Sequence, residues 1–156
     1  MSKKKAKKQA IIGWREWVAF PDLGVERIKA KIDTGAKTSS IHAFQIREFS
    51  DRGAPHVEFV LHPRQRRRQP EILCHAPVTD KRLITSSTGD RQERCVILTP
   101  VLFGDTVWPI ELTLANRDVM GFRLLIGRQA LRGRFLIDPG TSFRLNRRNR
   151  QKRETE

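Results

Sequence analysis

An aspartate that follows an apolar residue and precedes Thr-Gly-Ala is a side chain placed for chemistry, and Asp33 stands so in KIDTGAKTSSIHA, residues 31 to 43. A carboxylate there can take a proton, polarise a carbonyl, bind a cation or simply begin a turn, because Asp-x-Gly is a common loop former. A second outline of the same kind, Leu136-Ile137-Asp138-Pro139-Gly140, lies near the other end of the chain. Proline at 139 removes the hydroxyl and the backbone N–H that Thr34 supplies at the matching place, so a turn is the reading there. The remaining metal-ligand types do not gather. His42, His56, His62 and His75 form no His-Glu-x-x-His pair, and Cys74 and Cys95 form no Cys-x-x-Cys. His56 and His62 share parity across one predicted strand and Cys74 precedes His75, but scattered histidines of this kind are usually structural. No Gly-x-x-x-x-Gly-Lys-Ser/Thr loop offers to hold nucleotide phosphates, so neither a metal nor a cofactor is expected.

The elements that must position Asp33 read as β structure. Residues 11–20, 25–33, 56–62, 94–103 and 107–115 are short and rich in β-branched or aromatic side chains, and Trp108, Ile110, Leu112 and Leu114 alternate with Pro109, Glu111 and Thr113 as in a half-buried strand. Turn residues fall between them, at Pro21-Asp22-Leu23-Gly24, Asp51-Arg52-Gly53, Thr88-Gly89-Asp90 and Phe103-Gly104-Asp105. Asp33 then ends a strand whose apolar face is Ile28, Ala30 and Ile32, and Gly35 permits the bend that lifts the carboxylate clear of the sheet. The one helical candidate is short, residues 128–133 after Gly127. The architecture expected is mostly β, a small, largely antiparallel sandwich or barrel.

The chain of 156 residues has the length of one domain. Its net charge of +14 is concentrated: five lysines lie in residues 3–8, four arginines (Arg64, Arg66, Arg67 and Arg68) in residues 64–69, and six basic residues in 144–153. That makes 15 of the 31 basic residues, and the other 16 face 17 acidic ones. Basic tails at 1–10 and 144–156 around a domain at 11–143 are therefore expected, with a polyanion as partner. Two separated cysteines suit a reducing compartment, and no run of eighteen apolar residues appears, so a cytoplasmic protein without membrane attachment is expected. Trp14, Trp17 and Trp108 fall in core-like patterns. With no tyrosine and no aromatic-basic alternation, a stacking surface for bases has little support, and a basic β-domain binding ribosomal RNA or another polyanion without catalysis is the weaker alternative.

Asp33-Thr34-Gly35-Ala36 has a companion 92 residues on, Leu124-Leu125-Ile126-Gly127-Arg128. The pair resembles the retropepsins, single-lobed aspartic proteases, and more specifically a bacterial retropepsin-like family labelled "ATP-dependent zinc proteases" that shares DTGAKTSS-IHA, the Ser-Ser-Thr-Gly-x-x-x-Glu-Arg stretch from Ser86 and LLIGR. The resemblance covers about residues 11–140. It implies an aspartic endopeptidase active as a homodimer, with Asp33 of each copy on a two-fold axis. It also implies that Thr34 braces the two loops, that Gly35 gives the turn and backbone contacts to substrate, and that Ala36 keeps the cleft floor small. A flap is implied at Ser86, Ser87, Thr88, Gly89 and Asp90, and a structural role for Gly127 and Arg128 beneath the loop. The zinc and ATP of the label find no residues here. The ATP fits a partner, since such proteins are encoded beside a glutamate ligase acting on a ribosomal protein. An acidic, poly-glutamylated substrate and an association with ribosomes follow from the resemblance. Lys29, Lys31 and Lys37 near Asp33, and the arginines of 64–68, are the candidate contacts to its charges.

Overall fold

The computed structural model describes residues 9–64, 67–85, 88–116 and 121–145. Its elements are β1 (Ala10–Gly13), β2 (Arg15–Phe20), β3 (Val25–Asp33), β4 (Ser39–His42), β5 (Phe44–Asp51), β6 (Ala54–Leu61), β7 (Ile72–Pro77), β8 (Asp80–Thr85), β9 (Arg91–Phe103), β10 (Thr106–Ala115), β11 (Leu124–Gly127), the single-turn helix α1 (Arg128–Leu131) and β12 (Phe135–Asp138). Strands β10, β4, β11, β3, β2 and β9 are neighbours in that order, and β9 pairs back onto β10, so the sheet closes into a barrel. The first half of β9 carries β8 as an outlying strand, β5, β6 and β7 form a separate antiparallel sheet, and β1 and β12 form a two-stranded one. The fold is mostly β with one short helix.

Closure follows from the alternation of side chains. Along β10 the residues in phase with Trp108, Ile110, Leu112 and Leu114 point inward and are buried, as the period of two requires. Phe20, Ile28, Ile41, Ile97 and Ile126 complete the same interior from the other barrel strands, while Phe59 and Leu61 of β6 join the second sheet to it. Both cysteines are buried and unpaired, and burial pushes each thiol up to about 11, so neither ionises near neutral pH.

The stretch 11–20 departs from the single strand its composition predicts. It breaks at Trp14: β1 pairs with β12, and β2 pairs with β3 and β9. In β2 the inward phase is Glu16, Val18 and Phe20, which leaves Trp17 on the outer face. Trp14 and Trp17 are thus half-buried surface platforms and not core residues: Arg15 lies over Trp14, Arg27 lies 3.9 Å from the Trp17 ring centroid, and Phe143 stacks on Trp17. Only Trp108 of the three is buried.

Glu16 takes the inward place, with none of its surface exposed. Its carboxylate accepts from the backbone N–H groups of Gly13 (2.7 Å), Arg144 (3.0 Å) and Leu145 (3.2 Å). A buried carboxylate is tolerable when fixed donors replace water. These three bonds fasten the residues after β12 to the turn between β1 and β2.

Candidate active site

Asp33 is the last residue of β3, and the local chain accounts for its position. In the parallel ladder between β3 and β11, Ile32 lies opposite Ile126 and Asp33 opposite Gly127. The chain then turns: Gly35 N–H donates to Asp33 Oδ1 at 3.0 Å, and Ala36 N–H to the Asp33 carbonyl at 3.3 Å. One carboxylate oxygen is thereby held, and Asp33 forms no ion pair with a described residue. Asp33 is partly exposed and Thr34 and Gly35 are exposed at the tip of the turn.

The turn rests on the end of β11. A side chain at Gly127 has no room there, because a Cβ would lie 2.8 Å from the Ala36 carbonyl oxygen, 2.8 Å from the Thr38 carbonyl carbon and 2.9 Å from the Lys37 carbonyl oxygen. The close approach is fixed by hydrogen bonds: Gly127 N–H to Ser39 Oγ (3.0 Å, buried), Arg128 N–H to the Ala36 carbonyl (2.8 Å) and Gln129 N–H to the Lys37 carbonyl (3.2 Å). The Arg128 guanidinium reaches the carbonyls of Thr34 (3.4 Å) and Gly35 (3.3 Å). The residues after Asp33 are therefore anchored by the opening turn of α1, and the carboxylate sits on a braced loop.

The same construction occurs twice. Gly140 N–H donates to Asp138 Oδ1 at 3.0 Å and Thr141 N–H to the Asp138 carbonyl at 3.3 Å. In the parallel ladder of β1 with β12, Gly13 stands opposite Asp138, and a Cβ on it would collide with the backbone of Thr141 and Ser142. Trp14 N–H donates to the Thr141 carbonyl at 2.9 Å, as Arg128 N–H does to Ala36. Ile12-Gly13-Trp14 and Ile137-Asp138-Pro139-Gly140 thus repeat Ile126-Gly127-Arg128 and Ile32-Asp33-Thr34-Gly35 in three dimensions. The two differ at the other carboxylate oxygen: Asp138 Oδ2 is 3.3 Å from Arg144 Nη1, an ion pair that Asp33 lacks.

The hairpin of β8 and β9 rises beside this loop. Its register runs to Thr85 opposite Arg91, and its tip holds Thr88, Gly89 and Asp90, all exposed, with Thr88 Oγ1 donating to Asp90 at 3.3 Å and Gly89 at φ +88°. Ser86 and Ser87 lie outside the described residues. The base of the hairpin is tied to the active-site loop by Arg82, which pairs with Asp80 (2.8 Å) and Glu111 (2.5 Å) and reaches Thr38 Oγ1 at 3.5 Å. The Arg82 guanidinium and the Lys81 N–H hold the Asp80 carboxyl below its usual range, and the Glu111 and Asp80 carboxylates hold Arg82 charged. Lys81 bonds Glu48 at 2.6 Å, linking the same arm to β5.

Among the other predicted contacts, Lys37 is exposed and Lys31 partly so, on either side of the Asp33 turn, while Lys29 lies against Phe122. Arg64, Arg67 and Arg68 are exposed in the segment between β6 and β7, and Arg66 is outside the described residues. His56 lies beside Asp51 and Phe49, and His62 beside Phe44 and the Arg68 carbonyl, so the structure does not bring them together. Among the described residues no three His, Cys, Asp or Glu side chains are grouped to hold a metal ion, and no helix is long and apolar enough to cross a membrane. Sequence reasoning passed over Glu16, Ser39, Arg82 and Arg123. The repeat of Ile-Gly ahead of Trp14 and Arg128 was the available signal for the second turn, and a glutamate at an inward position of β2 was the signal for Glu16.

A closed β-barrel with an Asp-Thr-Gly turn seated on an Ile-Gly-Arg segment defines a retropepsin-like fold. The family model described as retropepsin-like aspartic endopeptidase RimB matches residues 11–148, and the chain belongs to this RimB-like family. It is 50% identical over 133 residues to a protein of Shewanella pealeana named "Probable alpha-L-glutamate ligase", covering 85% of this chain and 29% of that protein. A protein of the same name from Desulfotalea psychrophila is 51% identical over 139 residues, covering 89% and 30%. The chain thus spans under a third of the length of these relatives. A crystal structure of a Legionella pneumophila protein of unknown function superposes with a TM-score of 0.73 at 28% identity, covering 88% of this chain and 99% of that one.

Proposed function

We propose that the protein is an aspartic endopeptidase acting as a homodimer, in which Asp33 of each copy faces its mate across a two-fold axis. The observation that carries this reading is the contrast between the two aspartate turns: Asp33 stands on a braced loop with no ion pair to a described residue, whereas Asp138 is tied to Arg144. Peptide hydrolysis by this route needs a carboxylate to take a proton from water and a carboxylic acid to protonate the scissile carbonyl oxygen. Two aspartates held together share one proton, because both cannot ionise at short range, and so supply both roles. A chain with one such Asp-Thr-Gly aspartate has to borrow the second from another copy. Thr34 would brace the two loops, Gly35 would offer backbone contacts to substrate, and Thr88, Gly89 and Asp90 would close over it as a flap together with Ser86 and Ser87.

The substrate we infer is an acidic peptide, with poly-glutamate chains on a ribosomal protein as the specific case. Support comes from relatives named for glutamate ligation, which carry a segment like this chain within a longer protein, and from Lys31 and Lys37 flanking the catalytic turn. A glutamate ligase is then the expected functional partner, acting in the opposite direction on the same chains, in the cytoplasm. The test is hydrolysis of a poly-glutamylated peptide and of a neutral peptide by the purified protein and by Asp33→Asn. The reading expects cleavage of the acidic peptide by the unmodified protein alone. Equal cleavage by Asp33→Asn refutes it.

A further inference from the structure

Most described arginines have a partner. Arg47, Arg82 and Arg144 are ion-paired, Arg15, Arg27 and Arg134 lie over aromatic rings, and Arg123 and Arg128 donate to backbone carbonyls. Arg64, Arg67 and Arg68 are exposed and have neither an ion pair nor a ring contact with a described residue. With Gln69 and Pro70 they line one surface concavity, in which no acidic side chain of the described residues takes part. Three uncompensated guanidiniums around one hollow make a local field that favours a polyanion.

The loop that carries them is fastened from beneath. Arg123 Nη1 donates to the carbonyls of His62 (2.7 Å) and Arg67 (3.3 Å), a His62 ring nitrogen lies 2.6 Å from the Arg68 carbonyl, and Arg67 N–H donates to the Arg64 carbonyl at 3.2 Å. The carbonyls of His62, Arg64, Arg67 and Arg68 are thus satisfied within the loop and by Arg123. Arg123 immediately precedes β11, and its carbonyl receives the His42 N–H at 2.7 Å, so the loop is tied to the strand that ends opposite Asp33.

We propose that Arg64, Arg67 and Arg68 form a preorganised exosite for an acidic polypeptide, held in shape by Arg123 and His62 as positioning residues. An extended acidic peptide presents a carboxylate on one side about every 7 Å, a spacing that several arginines of one short loop can meet together. Among the described residues no aromatic side chain lines the concavity, so the base stacking that supports single-stranded nucleic acid has no platform there. The choice of a peptide ligand rests on the proposed peptidase reading. The exosite is tested by binding alone, so the two can fail separately.

The probe is a fluorescent oligo-glutamate of about ten residues, titrated by anisotropy into the full-length Asp33→Asn protein. Replacing Arg64, Arg67 and Arg68 with serine should weaken binding about ten-fold and flatten its salt dependence, with an unchanged melting temperature. A variant losing equal charge at Lys3, Lys4 and Lys5 should lose less than about three-fold. Arg123→Lys keeps the charge but not the planar fork, and should lose several-fold. The proposal is overturned if the loop and tail variants lose affinity equally, if Arg123→Lys binds normally while the loop variant also does, or if a single-stranded RNA of matched charge binds more tightly through the same arginines.

Discussion

Gly127→Ala puts a methyl group where the structure has only backbone. The new carbon would meet Ala36, Thr38 and Lys37 at 2.8–2.9 Å, distances that real Cβ atoms do not adopt, and none of the contacts is a flexible side-chain end that can swing away. Relief requires the segment after Asp33 to lift off β11. Overpacking of this kind costs about 1–3 kcal/mol. Lifting also strains the bonds from Gly127 to Ser39, from Arg128 to Ala36 and from Gln129 to Lys37, each worth roughly 0.5–1.5 kcal/mol. With those bonds weakened and not lost, a total of about 2–5 kcal/mol corresponds to a melting temperature lower by roughly 5–15 °C in a domain of this size. The assay is thermal unfolding by circular dichroism together with peptide hydrolysis at a temperature where the variant is fully folded. Activity should fall at least ten-fold beyond the loss of folded protein, because the displaced segment supports the turn in which Gly35 N–H holds the Asp33 carboxylate. Ser39→Ala, which removes only the acceptor of the Gly127 N–H, should cost about 1–3 kcal/mol with a smaller activity loss. Gly140→Ala is the control, since its Cβ would make an ordinary 3.4 Å contact with Asp138 Oδ1. Wild-type stability and activity in Gly127→Ala would show that the loop does not lie on β11 as described.

Glu16→Ala leaves three backbone N–H groups without their acceptor and should destabilise the fold by about 3–5 kcal/mol in urea unfolding, with Glu16→Gln intermediate. The two thiols give a pH dependence: their folded pKa of about 11 lies above the 9.0 of an unburied thiol, so the stability they contribute is complete below about pH 9 and is lost as pH rises toward 11. A Cys74→Ala, Cys95→Ala protein should lack that part of the decline in a melting-temperature series. Arg82→Met cuts the link between the hairpin base, Glu111 and Thr38, and should lower kcat with little loss of stability, seen by comparing hydrolysis with unfolding. Hydrolysis of glutamate-rich peptides should also fall steeply with added salt, while that of a neutral peptide does not.

The β character, the short helix and the place of Asp33 at a strand end were readable because alternation and turn chemistry are local. What escaped was set by pairing. Nothing within residues 11–20 says that Trp14 separates two strands, because the break arises from β12 claiming β1 while β3 and β9 claim β2. Trp17 resembles a core residue by type, yet β2's pleat gives the inside to Glu16, whose cost of burial is met by nearby Gly13 and by Arg144 and Leu145, well over a hundred residues away. At the candidate site, the Asp-Thr-Gly turn was legible, and so was Gly127 beneath it. The equivalence of the Asp138 turn was half legible: its outline showed, but the Gly13 that supports it and the Arg144 that occupies it became visible only in three dimensions. Arg123 gave no signal, since a guanidinium bound to carbonyls reads like any surface cation.

The central claim is that two copies of Asp33 make one site, and mixing decides it. Wild-type and Asp33→Asn chains are co-refolded in varied ratios at constant total protein, and hydrolysis of a glutamate-rich peptide is measured. If each site needs two Asp33 carboxylates, activity follows the square of the wild-type fraction and falls to about a quarter in an equal mixture. A fall to one half, linear in the wild-type fraction, or undiminished activity of pure Asp33→Asn, contradicts it.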